Sequence, residues 1–137
     1  MLPVVVHQLW RQRNTSSAFL DVVEQPELHL HAAAQAPIAD LFIDTALQAR
    51  GQTLVETNSE PILLRVQRRI AEGELRPDQV ALYFVEMTDD GSQLRPVGLN
   101  PDGEVEWWPH GVFEEDFSEV AAIRRAQRAR TPSQGQT

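Results

Sequence analysis

The apolar and polar positions at the start of the chain predict a helix, a loop and a buried strand. Residues 2–12 are rich in Leu and Val, and Pro3 suits the first turn of a helix. Polar residues 13–17 follow, and an apolar run then occupies residues 18–23. Short runs rich in Val and Phe are typical of buried strands, so we expect the first strand at 18–23.

The next stretch predicts a helix that crosses over to a second strand. Residues 32–50 carry apolar side chains at helical spacing, and Gly51 suits the position just after a helix. Pro37 is expected to kink this helix or to move its start later along the chain. Residues 52–56 predict a second buried strand. A strand, a helix and a strand in this order predict a right-handed βαβ unit with parallel strands.

The remaining pattern predicts a further helix and a hairpin. Ser59 is a candidate cap for a helix that runs to about residue 72, with Pro61 in its first turn. We expect a hairpin of residues 80–86 with 93–99 and a short third strand at 104–107. A C-terminal helix is expected at 113–130 and a disordered tail at 131–137.

Composition suits one small domain and excludes several kinds of site. The chain has 137 residues, of which 42% are hydrophobic, and this is enough to build a core. It has no cysteine, which excludes disulfides and thiolate metal sites. The apolar run at residues 2–6 is too short for a signal peptide or a membrane span. We therefore expect a cytoplasmic protein with no membrane partner.

The charged residues bear on binding to phosphates. The net charge is −8, and every basic side chain is an arginine because the sequence contains no lysine. An acidic chain is poorly suited to broad, non-specific binding of nucleic acid, although a local arginine patch remains compatible with it. The Gly-rich loop that cradles nucleotide phosphates ends in Gly-Lys-Ser or Gly-Lys-Thr. This chain has neither that lysine nor a Gly-rich loop.

An acid, a turn and two histidines directly follow the first predicted strand. Glu24 ends the apolar run, and residues 25–31 read Gln-Pro-Glu-Leu-His-Leu-His. Open α/β sheets bind their ligands at the carboxyl ends of the strands, where an acid commonly holds the magnesium of a nucleotide. A solvated acid, or one that caps the following turn, is the alternative for Glu24.

Residues 18–31 resemble the Walker B and D-loop segment of ABC-type ATPases, in the branch that includes RecF, SMC proteins and OLD-like nucleases. In that branch an apolar strand is followed by an acid, Glu or Gln, Pro, Glu and Leu-His-Leu-His-Pro; here Ala32 replaces the final proline. The resemblance implies that Glu24 is the magnesium acid and that Gln25 takes the position of the catalytic glutamate. It also implies that His31 lies in the D-loop, near a neighbouring subunit's nucleotide.

Two further segments match the same family in the same order. Residues 54–60 read Leu-Val-Glu-Thr-Asn-Ser-Glu, where the family usually has Glu-Thr-His-Ser-Glu. The resemblance therefore places Asn58 where relatives carry the histidine that senses the γ-phosphate, with Thr57 beside it. Residues 107–113 read Trp-Trp-Pro-His-Gly-Val-Phe, similar to the Trp-Pro-x-Gly-Phe-Phe element that closes one subgroup.

The resemblance implies an α/β fold that is part of a P-loop NTPase of the ABC-head type. Residues 1–130 would form the C-terminal lobe, with a small, mostly parallel sheet, flanking helices and an antiparallel hairpin. Mg²⁺ and ATP are expected only in a composite site, because the P-loop, Q-loop and signature motif would come from another polypeptide. No ATPase activity is therefore expected from this chain alone.

The same resemblance suggests partners. Relatives act in DNA repair, nuclease control and anti-phage defence, so a protein partner or a homo-oligomer is expected, and nucleic acid would be reached through the complex. The edge strands of a partial sheet would also need covering. A repurposed lobe, which acts as a binding or structural module without catalysis, is the alternative function.

Several side chains near the predicted strand ends have two interpretations. Gln25 cannot take up a proton, so it would orient water, with Glu27 as a substitute base; alternatively, both only shape the turn around Pro26. His29 and His31 share one face of an extended segment and would need further ligands to bind zinc. A structural role in the turn is the alternative for His31.

Two further groups of side chains also have two interpretations each. The arginines of the third predicted helix form a stripe that is either exposed to solvent or in contact with phosphate, namely residues 65, 68 and 69. The aromatic residues Trp107, Trp108 and Phe113 either form a partner-binding patch or hold the C-terminal segment on the core.

Overall fold

A computed structural model of the chain describes residues 2–14, 18–48 and 51–108. The described residues form three α-helices, four strands and a short 3-10 helix. In chain order these are α1 (Leu2–Asn14), β1 (Leu20–Glu24), α2 (Ala32–Gln48), β2 (Gln52–Glu56), α3 (Glu60–Ala71), the 3-10 helix (Pro77–Gln79), β3 (Leu82–Thr88) and β4 (Gly91–Val97). The helix predicted at 113–130 and the tail at 131–137 lie outside the described residues.

The first sheet consists of β1 and β2, which pair in parallel. Leu20 lies opposite Gln52 at one end of the pair, and Glu24 lies opposite Glu56 at the other. The predicted parallel β–α–β arrangement is therefore confirmed. β2 has the predicted bounds, whereas β1 begins two residues later than residue 18 and includes Glu24.

Helix α2 contains Pro37 within its span, yet it begins at Ala32. Of the two effects predicted for this proline, a kink or a later start, the later start is therefore not observed. The first turn is held by groups that precede it, because Ala34 N–H donates to the His31 carbonyl over 2.8 Å and the Gln35 amide donates to the Leu30 carbonyl over 3.4 Å. These contacts fix the N-terminal turn of the helix before the proline is reached.

Helix α3 starts as predicted. Ser59 has extended backbone angles and its hydroxyl oxygen accepts a hydrogen bond from Ile62 N–H, so it caps the helix, and Pro61 lies in the first turn. The apolar face of α3 packs on α2 and completes a core around Ile38, Ala39, Phe42 and Ile62. Burial of these four side chains from both helices provides the main apolar stabilisation of the sheet-and-helix layer.

The second sheet is the antiparallel hairpin of β3 and β4, which confirms the predicted hairpin. Both strands reach two residues closer to the turn than predicted, because the turn uses only residues 89 and 90 and Gly91 takes a positive φ of 110°. The third strand predicted at 104–107 is reduced to a single bridge between Leu99 and Val105. The loop around Gly103 instead docks on α3, where Gln67 donates to the Gly103 carbonyl over 2.9 Å.

The outer face of the parallel pair carries apolar side chains in solvent. Leu20, Val22 and Leu54 are 60%, 63% and 59% exposed, while the alternate residues face the helices. Parallel sheets are usually covered on both faces, and two strands alone give little stability. This outer face therefore lacks a covering layer among the described residues.

Among the described helices, none is both long enough and apolar enough to cross a lipid bilayer.

Candidate functional site

The parallel strands bring two carboxylates together at one end of the sheet. Glu24 and Glu56 are register partners at the last positions of β1 and β2, and both residues are exposed. Just beyond them, Gln25 N–H donates to the Glu56 carbonyl over 2.7 Å, and this hydrogen bond joins the two segments where the strands end. Glu24 was predicted from sequence, whereas Glu56 was missed because only the strand register identifies it as a neighbour.

The turn after β1 has a strained backbone. Gln25 and His29 have positive φ values of 43° and 65°, which non-glycine residues rarely adopt. Such conformations cost about 1–3 kcal/mol each and persist only where neighbouring contacts hold them. Here the turn is held by Leu28 N–H to the Gln25 carbonyl and by Leu30 N–H to the Glu27 carbonyl, over 3.1 and 2.9 Å. The segment from 25 to 29 thus has a defined shape at the strand end.

A single carboxylate connects this turn to the segment after β2. The backbone N–H of Asn58 donates to Glu27 Oε1 over 2.8 Å, although the two residues are 31 positions apart in sequence. The second oxygen, Oε2, is buried and accepts no hydrogen bond from the described residues. Glu27 therefore holds Asn58 beside the end of β1. This contact agrees with the turn-shaping interpretation of Glu27 and gives that residue a partner that the sequence did not indicate.

The hydroxyl groups after β2 are used to build the turn into α3. Thr57 Oγ1 accepts a hydrogen bond from Ser59 N–H over 3.0 Å. Ser59 Oγ donates to the Gln35 side-chain oxygen over 2.7 Å and accepts from Ile62 N–H over 3.3 Å, and Ser59 is buried. Ser59 is thus fixed between α2 and α3. Thr57 and Asn58 are held next to it at the edge of the sheet.

The two histidines have different environments. His31 Nδ1 accepts a weak hydrogen bond from Ala33 N–H over 3.3 Å, at the position that precedes α2. His29 is exposed in the strained turn. Within the described residues, no group of three His, Cys, Asp or Glu side chains is arranged to hold a metal. In the part of the chain that the structure describes, the zinc interpretation therefore lacks its further ligands, and His31 contacts the first turn of α2.

A buried acid that the sequence interpretation missed lies three residues before Glu24. Asp21 is 7% exposed and accepts hydrogen bonds from the Gln8 amide over 3.0 Å and from the Arg11 guanidinium over 3.2 Å. His7 Nε2 lies 3.4 Å from the same carboxylate. These contacts attach α1 to β1. An acid inside an apolar run was the available signal, because such an acid must find partners when it is buried.

The arginine stripe of α3 is mostly paired within the chain. Arg65 and Arg69 both donate to the Asp40 carboxylate, over 2.6 and 2.8 Å, and their side chains are 21% and 22% exposed. Arg68 is 62% exposed and pairs with Glu72 over 2.7 Å. The solvent-exposed interpretation thus fits Arg68, whereas the other two arginines join α3 to α2 through Asp40. Arg69 also donates to Glu72 and Glu74, over 3.0 and 2.9 Å.

The hydrogen bonds from Arg69 are the main cause of a lowered pKa at Asp40. Burial opposes this shift, and the positive charges of Arg65 and Arg69 add to it. A lowered pKa means that the carboxylate is more acidic in the folded chain than in water. The ion pairs between α2 and α3 therefore contribute stability at neutral pH.

Trp107 is attached to the hairpin. Its indole N–H donates to the Pro96 carbonyl over 3.0 Å, and the Arg95 guanidinium lies 4.3 Å from its ring centre. These contacts support the interpretation that the aromatic residues hold the C-terminal segment on the rest of the chain. Phe113, the third aromatic residue in that interpretation, lies outside the described residues.

Comparison with known proteins gives one match. A family profile described as a protein of unknown function (DUF3696) matches residues 75–123. This range covers the 3-10 helix and the hairpin, and it does not reach β1, β2 or the side chains at their ends. No curated protein and no solved structure matches the chain.

Proposed function

We propose that this chain supplies the metal-side part of a composite ATP site, as the C-terminal lobe of an ABC-type ATPase head. The observation that supports the proposal best is the hydrogen bond from Asn58 N–H to Glu27, over 2.8 Å, at the shared end of β1 and β2. It joins the segment that resembles Walker B to the segment that resembles the switch. Ligands of open α/β sheets bind at this end of the strands.

Each residue at this edge has a chemical role in the proposed site. Glu24, with Glu56 beside it, would hold Mg²⁺, which proteins commonly bind through one or two carboxylates together with nucleotide phosphates. The bound ion would neutralise charge on the phosphates. Asn58 would donate its side-chain amide to a phosphate oxygen, and Gln25 would orient the attacking water, because an amide does not take up a proton.

These 137 residues do not supply the rest of the proposed site, which we assign to a partner. The chain contains no lysine, so it lacks the side chain that a P-loop directs at the β- and γ-phosphates. The exposed outer face of the parallel pair is consistent with a covering partner. We place the complex in DNA repair or anti-phage defence, where members of the resembling branch act.

A second function is favoured by particular substitutions. Asn58 replaces the phosphate-sensing histidine, and Ala32 replaces the proline after His31. Both changes suit a lobe that no longer hydrolyses ATP and serves as a binding or structural module. The two functions differ in whether Mg-ATP binds when a P-loop partner is present.

Isothermal titration calorimetry separates the two functions. The chain is titrated with Mg-ATP alone, and again with a polypeptide from a neighbouring reading frame that carries Gly-x-x-x-x-Gly-Lys-Ser or Gly-x-x-x-x-Gly-Lys-Thr. The partner by itself is the control. The composite site predicts no binding to the chain alone and tighter binding to the complex than to the partner. If the complex and the partner alone bind Mg-ATP with equal affinity, the composite site is contradicted and the binding or structural module is favoured.

A further inference from the structure

The hairpin exposes large apolar side chains on one of its two faces. Side chains alternate along a strand, so every second residue of β3 points to this side, and Leu94 joins them as the cross-strand partner of Val85. The set, here called the hairpin face, consists of four residues that are between 54% and 78% exposed: Tyr83, Val85, Met87 and Leu94. Single exposed apolar residues are ordinary, whereas a contiguous group of large ones marks a surface that contacts something else.

A cavity of about 340 Å³ lies between β2 and the hairpin. Three consecutive residues of each strand line it, residues 53–55 of β2 and residues 82–84 of β3. Neighbouring residues on a strand point to opposite faces, so a cavity that touches three in a row runs along the edge of the strand. Leu54 from the outer face of the first sheet and Tyr83 from the hairpin face both border it. The two exposed apolar faces therefore adjoin the same cavity.

The outer face of the first sheet leads to the proposed magnesium site. Val22 and Leu54 are register partners, and Glu24 and Glu56 occupy the next positions on the same side of the sheet. A polypeptide that covers the apolar part of this face therefore ends beside the two carboxylates. The apolar face and the carboxylates belong to one surface of the sheet.

We propose that the P-loop partner of the proposed function, on which this step rests, covers both faces with one continuous apolar surface. The hairpin face then extends the surface that the partner contacts on β1 and β2, across the cavity between the two sheets. The partner buries the hairpin face together with Leu20, Val22 and Leu54. Burial of apolar surface is the main favourable contribution to most protein association, so the hairpin face contributes directly to affinity for the partner.

Charge favours a basic partner over a second copy of this chain. Exposed acids lie at the ends of both faces, with Glu24 and Glu56 on the first sheet and Asp89 and Asp90 at the hairpin turn. The chain carries a net charge of −8, so a second copy would add like charges at the interface. The partner that fits has an apolar centre bordered by arginine or lysine side chains, which pair with these acids.

Binding of the P-loop partner in the absence of nucleotide tests the proposal on the full chain. The probe is the polypeptide that carries the P-loop, labelled with a fluorophore, and its anisotropy is followed in EDTA as the chain is added. Leu94→Lys should weaken binding about ten-fold or more, because a charge replaces an apolar side chain that the partner buries. Gln93→Lys is the matched control, since it adds the same charge one position away on the opposite face, across from Glu86. It should leave the affinity unchanged.

A second variant guards against a change in folding. Met87→Lys places the charge on β3 instead of β4 and should weaken binding as Leu94→Lys does, with urea unfolding midpoints that match the wild type for both. If the wild type binds the partner and both variants bind equally well, the proposal is overturned while the composite ATP site stands. If both variants lose binding but the wild-type complex gains no affinity for Mg-ATP, the surface stands and the ATP site fails.

Two other outcomes also overturn the proposal. Absence of any complex with the P-loop polypeptide would remove both the surface and the composite site. Sedimentation that shows the chain alone as a dimer, with Leu94→Lys restoring the monomer, would assign the hairpin face to a second copy.

Discussion

At the scale of single residues, two glycines with the same backbone conformation differ in what surrounds them. Gly103 and Gly73 both have positive φ, at 79° and 76°. A Cβ at Gly103 would overlap the Gln67 carbonyl oxygen in α3, whereas a Cβ at Gly73 would meet nothing within 4 Å. A side chain at Gly73 would therefore meet only backbone strain, whereas a side chain at Gly103 would also overlap α3.

Replacing each of these glycines by alanine should give unequal losses of stability. Gly73→Ala is expected to lower the free energy of unfolding by about 1–2 kcal/mol, through the left-handed backbone alone. Gly103→Ala should cost about 1–3 kcal/mol more, because the loop has to move away from α3 and weaken the Gln67 hydrogen bond. Urea unfolding measures both values. Equal losses would show that the loop at 100–104 does not pack on α3 as described.

The residue scale also shows where sequence interpretation was incomplete. Glu24 was identified because it ends an apolar run, and Asn58 because of its neighbours in sequence. Asp21 was passed over although an acid inside a strand needs partners, and Gln8 and Arg11 were available on one face of α1. The contact between Glu27 and Asn58 links residues 31 positions apart, so no local pattern could indicate it.

At the scale of elements, the helices and strands followed local patterns closely. β2 and the cap of α3 were predicted to the residue, because Gly51 and Ser59 mark their starts. α2 also begins at the first residue of its predicted range, Ala32, because contacts from Leu30 and His31 outweigh the effect of Pro37. The hairpin strands were placed two residues away from their observed positions because the turn is shorter than its polar sequence suggested.

The joint between α2 and α3 gives a pH-dependent prediction at this scale. The lowered pKa of Asp40, caused first by its hydrogen bond from Arg69, means that the ion pairs stabilise the fold fully above the unfolded pKa, near 3.9. Their contribution is lost as the pH falls through the lower, folded value. Asp40→Asn should therefore be less stable than the wild type at neutral pH, with the difference shrinking below about pH 4.

Unfolding followed by circular dichroism across that pH range measures this effect. Asp44→Asn is the matched control, because Asp44 lies on the same helix and is exposed. It should differ little from the wild type at any pH. A stability difference for Asp40→Asn that stays constant down to about pH 2 would contradict a role for the charged carboxylate.

At the scale of the whole molecule, the described chain has two small sheets and an apolar surface on each. The outer face of β1 and β2 exposes Val22 and Leu54, and the hairpin exposes Val85 and Met87. We propose that the first surface contacts a partner that completes the nucleotide site. The sequence patterns predicted the strands themselves, but which faces remain open depends on how the elements assemble.

The central claim is that Glu24 holds magnesium in a site shared with a P-loop partner. It is tested most directly by the Mg²⁺ dependence of ATP affinity in the assembled complex, measured with Glu24→Gln and with Glu106→Gln, an exposed acid away from the strand ends. We predict that Glu24→Gln weakens ATP binding at least about ten-fold in the presence of Mg²⁺ and has little effect in its absence, with Glu106→Gln unchanged. Unaltered Mg²⁺ dependence in the Glu24→Gln complex would contradict the claim.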